Sequence, residues 1–303
     1  MPFHLAPTTR RQFITRAIGG GVAILTSRAL VGAESSPLGE RWALFSDTHV
    51  SADPLAVSRN VNMADHLRAA VKEVTALAPA PLSVLINGDC ALDHGLPEDY
   101  TTWLELLRPL RASGLPLHCT LGNHDAREVF WNAVQEAAAQ PRPVQGKYVS
   151  ILESGAANWF LLDSLDVTKQ TPGRVGEDQC RWLAAALDAR QEKPALVMVH
   201  HDPVVRADGK PSGLLDTQAL LEVLLPRKQV KALFYGHTHT WRLAEQEGLH
   251  FINLPAVAYP FNPSEVTGWV DCHLQPDGMT LEVRASDPQH PVHGQTKRLA
   301  WRA

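Results

Sequence analysis

Five short apolar runs, each stopping at a cluster of Asp, Asn or His, constrain this chain more than any other feature. They lie at 42–45, 82–86, 115–121, 195–199 and 232–235. Each is too short for a helix and suits a buried strand. Longer amphipathic stretches alternate with them. The 60–77 stretch carries Val61, Ala64, Leu67, Val71 and Val74 at a three-to-four spacing, which reads as a helix. Helices are also expected over 98–110, 128–139, 177–189 and 217–225. Strand-helix alternation implies mainly parallel pairing with helices covering the faces. A hairpin is expected over 148–152 and 159–162, and further strands over 251–254, 269–274 and 279–283. This insert and the C-terminal stretch are expected to build a second sheet. The fold class is therefore α/β, an αββα sandwich of two mixed sheets flanked by helices. One domain, 40–303, accounts for the chain after its first residues, because no linker of biased composition divides it.

The polar clusters sit where the strands end. They are Asp47-Thr48-His49, Asp89, Asn123-His124, His200 and His237-Thr238-His239. In open α/β sheets ligands bind beyond the carboxyl ends of the strands, so these residues should converge on one rim. On an extended stub, residues two apart point the same way, which would aim Asp47 with His49 and His237 with His239. Three carboxylate or carboxamide groups and four His fill two metal shells if one carboxylate bridges, and the bridge reduces repulsion between the two cations. Oxygen and nitrogen donors without thiolate suit Fe, Mn, Zn or Co better than Ca or Mg. Any one cluster is common by chance. All five in this order are hard to obtain from packing alone.

These motifs, over residues 47–239, resemble the calcineurin-like metallophosphoesterases, the superfamily of purple acid phosphatases and cyclic-nucleotide phosphodiesterases. The segment Gln179-Cys180-Arg181-Trp182-Leu183 is similar to that family's helix before its fourth motif. The resemblance implies a dinuclear metal centre that hydrolyses phosphoesters by in-line attack of a metal-bridging hydroxide. It assigns Asp47, His49 and His239 to one metal, Asn123, His200 and His237 to the other, and Asp89 to the bridge. His124 matches the substrate-facing His, and Asp125 the acid that orients it. His200 fits the ligand position better than His201, because it directly follows the apolar run. His201 would then face the substrate or pack beneath the site. The family's further Asp, three residues after the bridging one, stands here four residues on, as Asp93, which leaves its role open. His94 beside it is a candidate substrate contact.

Residues 1–33 read as an export leader. Thr9-Arg10-Arg11-Gln12-Phe13-Ile14 is a twin-arginine pattern, an apolar Gly-rich stretch follows, and Val31-Gly32-Ala33 supplies small residues for cleavage. The pattern resembles the Tat type, which implies the Tat machinery as a partner and an extracytoplasmic location. The apolar run is short for a membrane span, and no stable span is expected in the rest of the chain. The formal net charge is -4, and the leader's four Arg come without an acid, so the remainder is more acidic still. Such a chain lacks the basic face that general nucleic-acid binding requires. Cys90, Cys119, Cys180 and Cys272 form no CxxC pair and read as small core residues, with disulfides left open. The expected partner is a small phosphoester. A catalytically silent metal-binding scaffold, or a metal-dependent hydrolase of another ester, stands as the alternative. Trp241, Tyr259 and Phe261 are either core or an apolar wall for part of the substrate. The sequence does not choose between monoester and diester, nor does it give the oligomeric state.

Overall fold

The structure, a computed structural model, describes residues 3–5, 39–134, 142–204 and 213–303. In chain order the strands are β1 (Phe3–Leu5), β2 (Glu40–Ser46), β3 (Val57–Ser58), β4 (Val61–Asn62), β5 (Ser83–Asn87), β6 (Leu117–Thr120), β7 (Ser150–Glu153), β8 (Asn158–Leu161), β9 (Ala195–Met198), β10 (Val230–Tyr235), β11 (Arg242–Gln246), β12 (Leu249–Asn253), β13 (Gly268–Gln275), β14 (Gly278–Ala285) and β15 (Thr296–Ala300). The helices are α1 (Met63–Thr75), α2 (Pro97–Ala112), α3 (Arg127–Ala133), α4 (Glu177–Asp188) and α5 (Thr217–Leu224).

Two mixed sheets result. The first has the order β1-β6-β5-β2-β13-β14-β15, and the second β11-β12-β10-β9-β8-β7. In the first, β2, β5 and β6 run parallel, while β13 pairs antiparallel with β2. In the second, β8, β9, β10 and β12 run parallel. The expected division of strands is only partly right. The 148–162 hairpin does join the second sheet, but β13, β14 and β15 extend the first. Sheet membership depends on pairing between segments far apart in sequence, which local periodicity does not encode.

Strand alternation sorts the core into three layers. On β2, Trp42 and Leu44 point between the sheets, while Ala43 and Phe45 point at the helices. On β9, Leu196 and Met198 point between the sheets, and Ala195 and Val197 point outward. This is why the runs read as continuous apolar stretches: a strand buried on both faces has no polar side to show. Phe45, Val84 and Ile86 pack under Leu67, Val71, Trp103, Leu107 and Phe130 of α1, α2 and α3. Val197 and Leu233 pack under Leu183, Leu187, Leu220 and Leu224 of α4 and α5. All four cysteines are free and buried in these layers.

Local signals fix where helices begin. The Asn62 side chain accepts from the Asp65 N–H at 2.9 Å and caps α1. Asp99 accepts from the Leu96 N–H at 3.0 Å, and Pro97 opens α2 with no N–H to lose. The helix expected over 128–139 is described as α3, and residues 135–141 lie outside the described residues. β1 falls inside the stretch assigned to the leader and pairs antiparallel with β6. Residues 6–38, with the twin arginines, the apolar stretch and the small-residue cleavage segment, lie outside the described residues. Among the described residues, no helix is long and apolar enough to cross a membrane.

The inter-sheet layer carries the stability that holds the strand ends in place. Trp159 is fully buried there, with ring centroids 5.4 Å from Trp42 and 5.0 Å from Phe234. Truncating a buried Trp removes both its transfer energy and its contacts. Trp159→Ala should cost about 3–5 kcal/mol in urea unfolding. A loss below about 1 kcal/mol would show that this layer does not carry the fold.

Candidate metal centre

The ends of β2, β5, β9 and β10 meet where the two sheets face each other. Asn87 ties them, its Nδ2 donating to the Val199 carbonyl at 3.2 Å and its own carbonyl lying 2.8 Å from His200 Nδ1. The chain leaves each strand through unusual backbone. Asp47, His49, Asp89, His237 and His239 all have positive φ, from 44° to 69°. The expected extended stub is therefore not what aims these side chains. Left-handed turns just past the strands do so, at a cost of roughly 1–3 kcal/mol per residue that the surrounding structure must sustain. Glycine permits the close approach of the loops. A Cβ on Gly122 would stand 2.1 Å from Asp89 Oδ1, and one on Gly88, at φ +69, would stand 2.5 Å from His200 Nδ1.

Three triads result, each with its ligand atoms within 4.8 Å of one another: Asp47, His49 and His239; His49, Asp89 and His124; Asp89, His200 and His237. Asp89 Oδ2 lies 3.3 Å from His200 Nε2 and 3.6 Å from His49 Nε2. Asp47 Oδ1 lies 3.4 Å from His239 Nε2. The Nε2 atoms of His49 and His239 are 3.1 Å apart. His239 Nδ1 lies 2.5 Å from the Tyr259 carbonyl and His200 Nδ1 meets the Asn87 carbonyl, so both rings turn Nε2 inward. Asn123 is buried with its Oδ1 unpartnered. The 236–240 loop is held by Asn253 Nδ2, which donates to the Thr238 and Thr240 hydroxyls at 2.5 and 2.8 Å.

The electrostatics show what this arrangement requires. Burial pushes the Asp47 and Asp89 carboxyls upward, but the neighbouring imidazoles overcome it and hold both below the usual carboxylate range. Two ionised carboxylates therefore sit buried together and demand positive charge. Burial also lowers two of the site's histidines: His49 to about 3, with His239 and His124 adding to the effect, and His237 to about 4, helped by His200. His200 moves the other way. Burial lowers it, yet Asp89 and Asp47 raise it to about 10, so the two carboxylates draw positive charge to that position. Neutral imidazoles, ionised carboxylates and an unpartnered carboxamide oxygen are donors suited to transition-metal cations. The residues present fit a metal pair.

Two expectations about neighbouring residues are corrected. Asp125 does not orient His124. Its buried carboxylate accepts from the backbone N–H groups of Gly122, Cys90 and Ala91 at 3.0, 3.1 and 3.2 Å and from the Tyr100 hydroxyl at 3.1 Å, so it braces one motif against another. Burial raises it to about 6, with the Asp89 charge adding to the shift. His124 Nδ1 instead lies 3.1 Å from the Asp93 carbonyl. His201 does not face the substrate. It is fully buried, its Nδ1 lies 2.7 Å from Ser164 Oγ, and its ring fills the space beside Gly173. His94 sits exposed on the loop, its Nδ1 2.6 Å from Asp93 Oδ2. Trp241 is partly buried and packs against the core, Tyr259 is buried, and Phe261 is half exposed. Sequence reasoning missed Asn87 and Lys169. Asn87 directly precedes Gly88-Asp89 at a strand end, which was its available signal. Lys169, which pairs with Asp93 and donates its N–H to the Asn123 carbonyl at 2.6 Å, lies in a loop with no motif.

A site of this composition between two mixed sheets defines a metal-dependent phosphoester hydrolase, and the comparisons agree. The calcineurin-like phosphoesterase family model matches residues 41–241, and the chain belongs to that family. The 3′,5′-cyclic adenosine monophosphate phosphodiesterase CpdA of Pseudomonas aeruginosa is 31% identical over 223 residues, covering 72% of this chain and 76% of that protein. The glycerophosphodiester phosphodiesterase GpdQ of Enterobacter lignolyticus is 24% identical over 221 residues, covering 72% and 77%. A dimetal phosphatase from Danio rerio shares the fold, with a TM-score of 0.66 over 88% of this chain and all of that one, at 18% identity.

Asp89 touches two triads, so its loss should disturb both. Asp89→Asn should lower the metal content, measured by elemental mass spectrometry, from about two equivalents per chain to about one or fewer. Far-UV circular dichroism should stay unchanged. Unaltered metal content would remove Asp89 from the centre.

Proposed function

We propose that the protein is an exported phosphodiester hydrolase with a dinuclear metal centre. The observation that carries the reading is the pair of buried carboxylates, Asp47 and Asp89, set among imidazoles at 3.3–4.0 Å with the Asn123 Oδ1 unpartnered beside them. The diester preference draws on the relatives, whose names describe phosphodiesterases.

In this reading Asp47, His49 and His239 would hold one ion, Asn123, His200 and His237 would hold the other, and Asp89 would serve both. Such ions supply charge that offsets the phosphoryl oxygens and lowers the pKa of attacking water. The chain's own contribution beyond the ligands centres on His124. Its ring is partly exposed, and its Nδ1 is engaged by the Asp93 carbonyl. That contact fixes a proton on Nδ1, so it is the doubly protonated ring whose Nε2–H passes a proton to the leaving oxygen, leaving the neutral ring behind. Asp93 in turn is flanked by Lys169 and His94, which stiffens the loop that aims His124. No side chain is required as a nucleophile, so no covalent phosphoenzyme is expected.

Metal-loaded protein should hydrolyse bis(p-nitrophenyl) phosphate or a 3′,5′-cyclic nucleotide, lose the activity to a chelator and regain it with added metal. His124→Ala should lower kcat by about 10²–10⁴-fold while metal content is kept. Full activity in that variant would remove His124 from the proton transfer, and metal-loaded protein inert toward a broad diester panel would overturn the functional reading.

The export half of the proposal draws on Arg10 and Arg11 followed by an apolar stretch. Replacing both with Lys should leave the protein in the cytoplasm on cell fractionation. Undiminished appearance outside the cytoplasm would contradict a twin-arginine route.

A further inference from the structure

A stack of planar groups leads outward from the centre, and its outer members have no part in the chemistry described above. His239 is stacked on Phe261, with ring centroids 4.0 Å apart and planes 14° apart. The Arg59 guanidinium lies over the same Phe261 ring, 4.9 Å from its centroid, and 5.7 Å from that of Tyr259. Phe261 is 50% exposed although it is a large apolar side chain touching a proposed ligand. Arg59 is exposed, and no carboxylate pairs with it among the described residues.

The backbone holds this Arg in an unfavourable place. Ser58 pairs with Val61, so the β3–β4 hairpin turns through Arg59 and Asn60 alone, and both have positive φ, 49° and 64°. Such a turn favours Asn and Gly at both positions. The hairpin is seated on the cluster of Met63, Ala258 and Tyr259 through Ala56 and Val61. A charged planar group and an exposed aromatic ring thus stand beside a proposed metal ligand.

We infer that Arg59 and Phe261 form a specificity shelf that receives a planar, π-rich ring, a nucleobase or an aryl group, carried by the phosphoester. The identity of the reacting group rests on the phosphodiester reading above. A flat ring extends the existing stack, gaining dispersion and cation–π contact from the guanidinium. A polyol or saturated chain gains neither. The shelf therefore favours diesters of nucleosides or phenols over those of glycerol.

Phosphonates test this without turnover, because their C–P bond is not a substrate for ester hydrolysis. Metal-loaded full-length protein is titrated calorimetrically with phenylphosphonate and cyclohexylphosphonate, which match in size and differ in planarity. The parent should bind the phenyl compound about tenfold more tightly. Phe261→Leu keeps an apolar contact without a π face, and Arg59→Lys keeps the charge without the plane. Each should reduce the preference to about twofold or less. The ratio is taken within each variant, so a general loss of affinity cancels. Equal affinities in the parent, no phenylphosphonate binding, or a preference that survives both substitutions would overturn the shelf. A parent that prefers the phenyl compound but hydrolyses no phosphoester supports the shelf and overturns the functional reading instead.

Discussion

Two carboxylates buried side by side between the sheets set the terms for the rest of the structure. Asp47 and Asp89 are almost wholly shielded from water, and an ionised carboxylate in that position is costly unless its oxygens are matched. The matching is extensive. The His237 N–H donates to Asp47 at 3.2 Å, the His124 N–H donates to Asp89 at 2.8 Å, and the imidazoles of His49 and His200 lie within 4.0 Å of both. The loops must come close enough to do this, which explains Gly122 and Gly88. They must also turn at once on leaving the strands, which explains five non-glycine residues at positive φ. A three-layer core of large apolar side chains is what sustains that concentration of strain and charge.

Much of this was legible in the sequence, and the physical reason differs from element to element. Strands β2, β5, β9 and β10 were visible because burial on both faces leaves an unbroken apolar run. The helices were visible through their three-to-four spacing. The seven residues proposed as ligands were marked by position, since a polar cluster directly after a buried strand has few structural uses. What was not legible was non-local or conformational. The placement of β13 and β14 in the first sheet depends on pairing across most of the chain. The left-handed turns at Asp47 and His239 carry no glycine to announce them. Asp125 follows His124 in the chain, yet its side chain turns to backbone N–H groups that only the fold brings near. Strands β11 and β15 are mostly exposed and polar, so no apolar run marks them.

The fold separates the proposed metal ligands from the residues proposed to select substrates. The proposed ligands stand at strand ends, fixed by two sheets and their core. The surrounding residues, Arg59 on its hairpin, Asp93 and His94 after β5, Lys169 after β8 and Phe261 after β12, all come from loops. Loops tolerate change that strands do not, so one centre serves different phosphoesters as the rim varies. This agrees with relatives whose names describe a cyclic-nucleotide and a glycerophosphodiester substrate on one family framework.

The central claim is that Asp89 lies between two metal ions rather than serving as a buried structural carboxylate. Anomalous diffraction from crystals of the metal-loaded protein, recorded at the absorption edge of the bound metal, tests it directly. The account predicts two peaks about 3.5–4 Å apart, with the Asp89 carboxylate between them and Asp47 and Asn123 on opposite sides. A single peak, or a pair that leaves Asp89 uncoordinated, would contradict it.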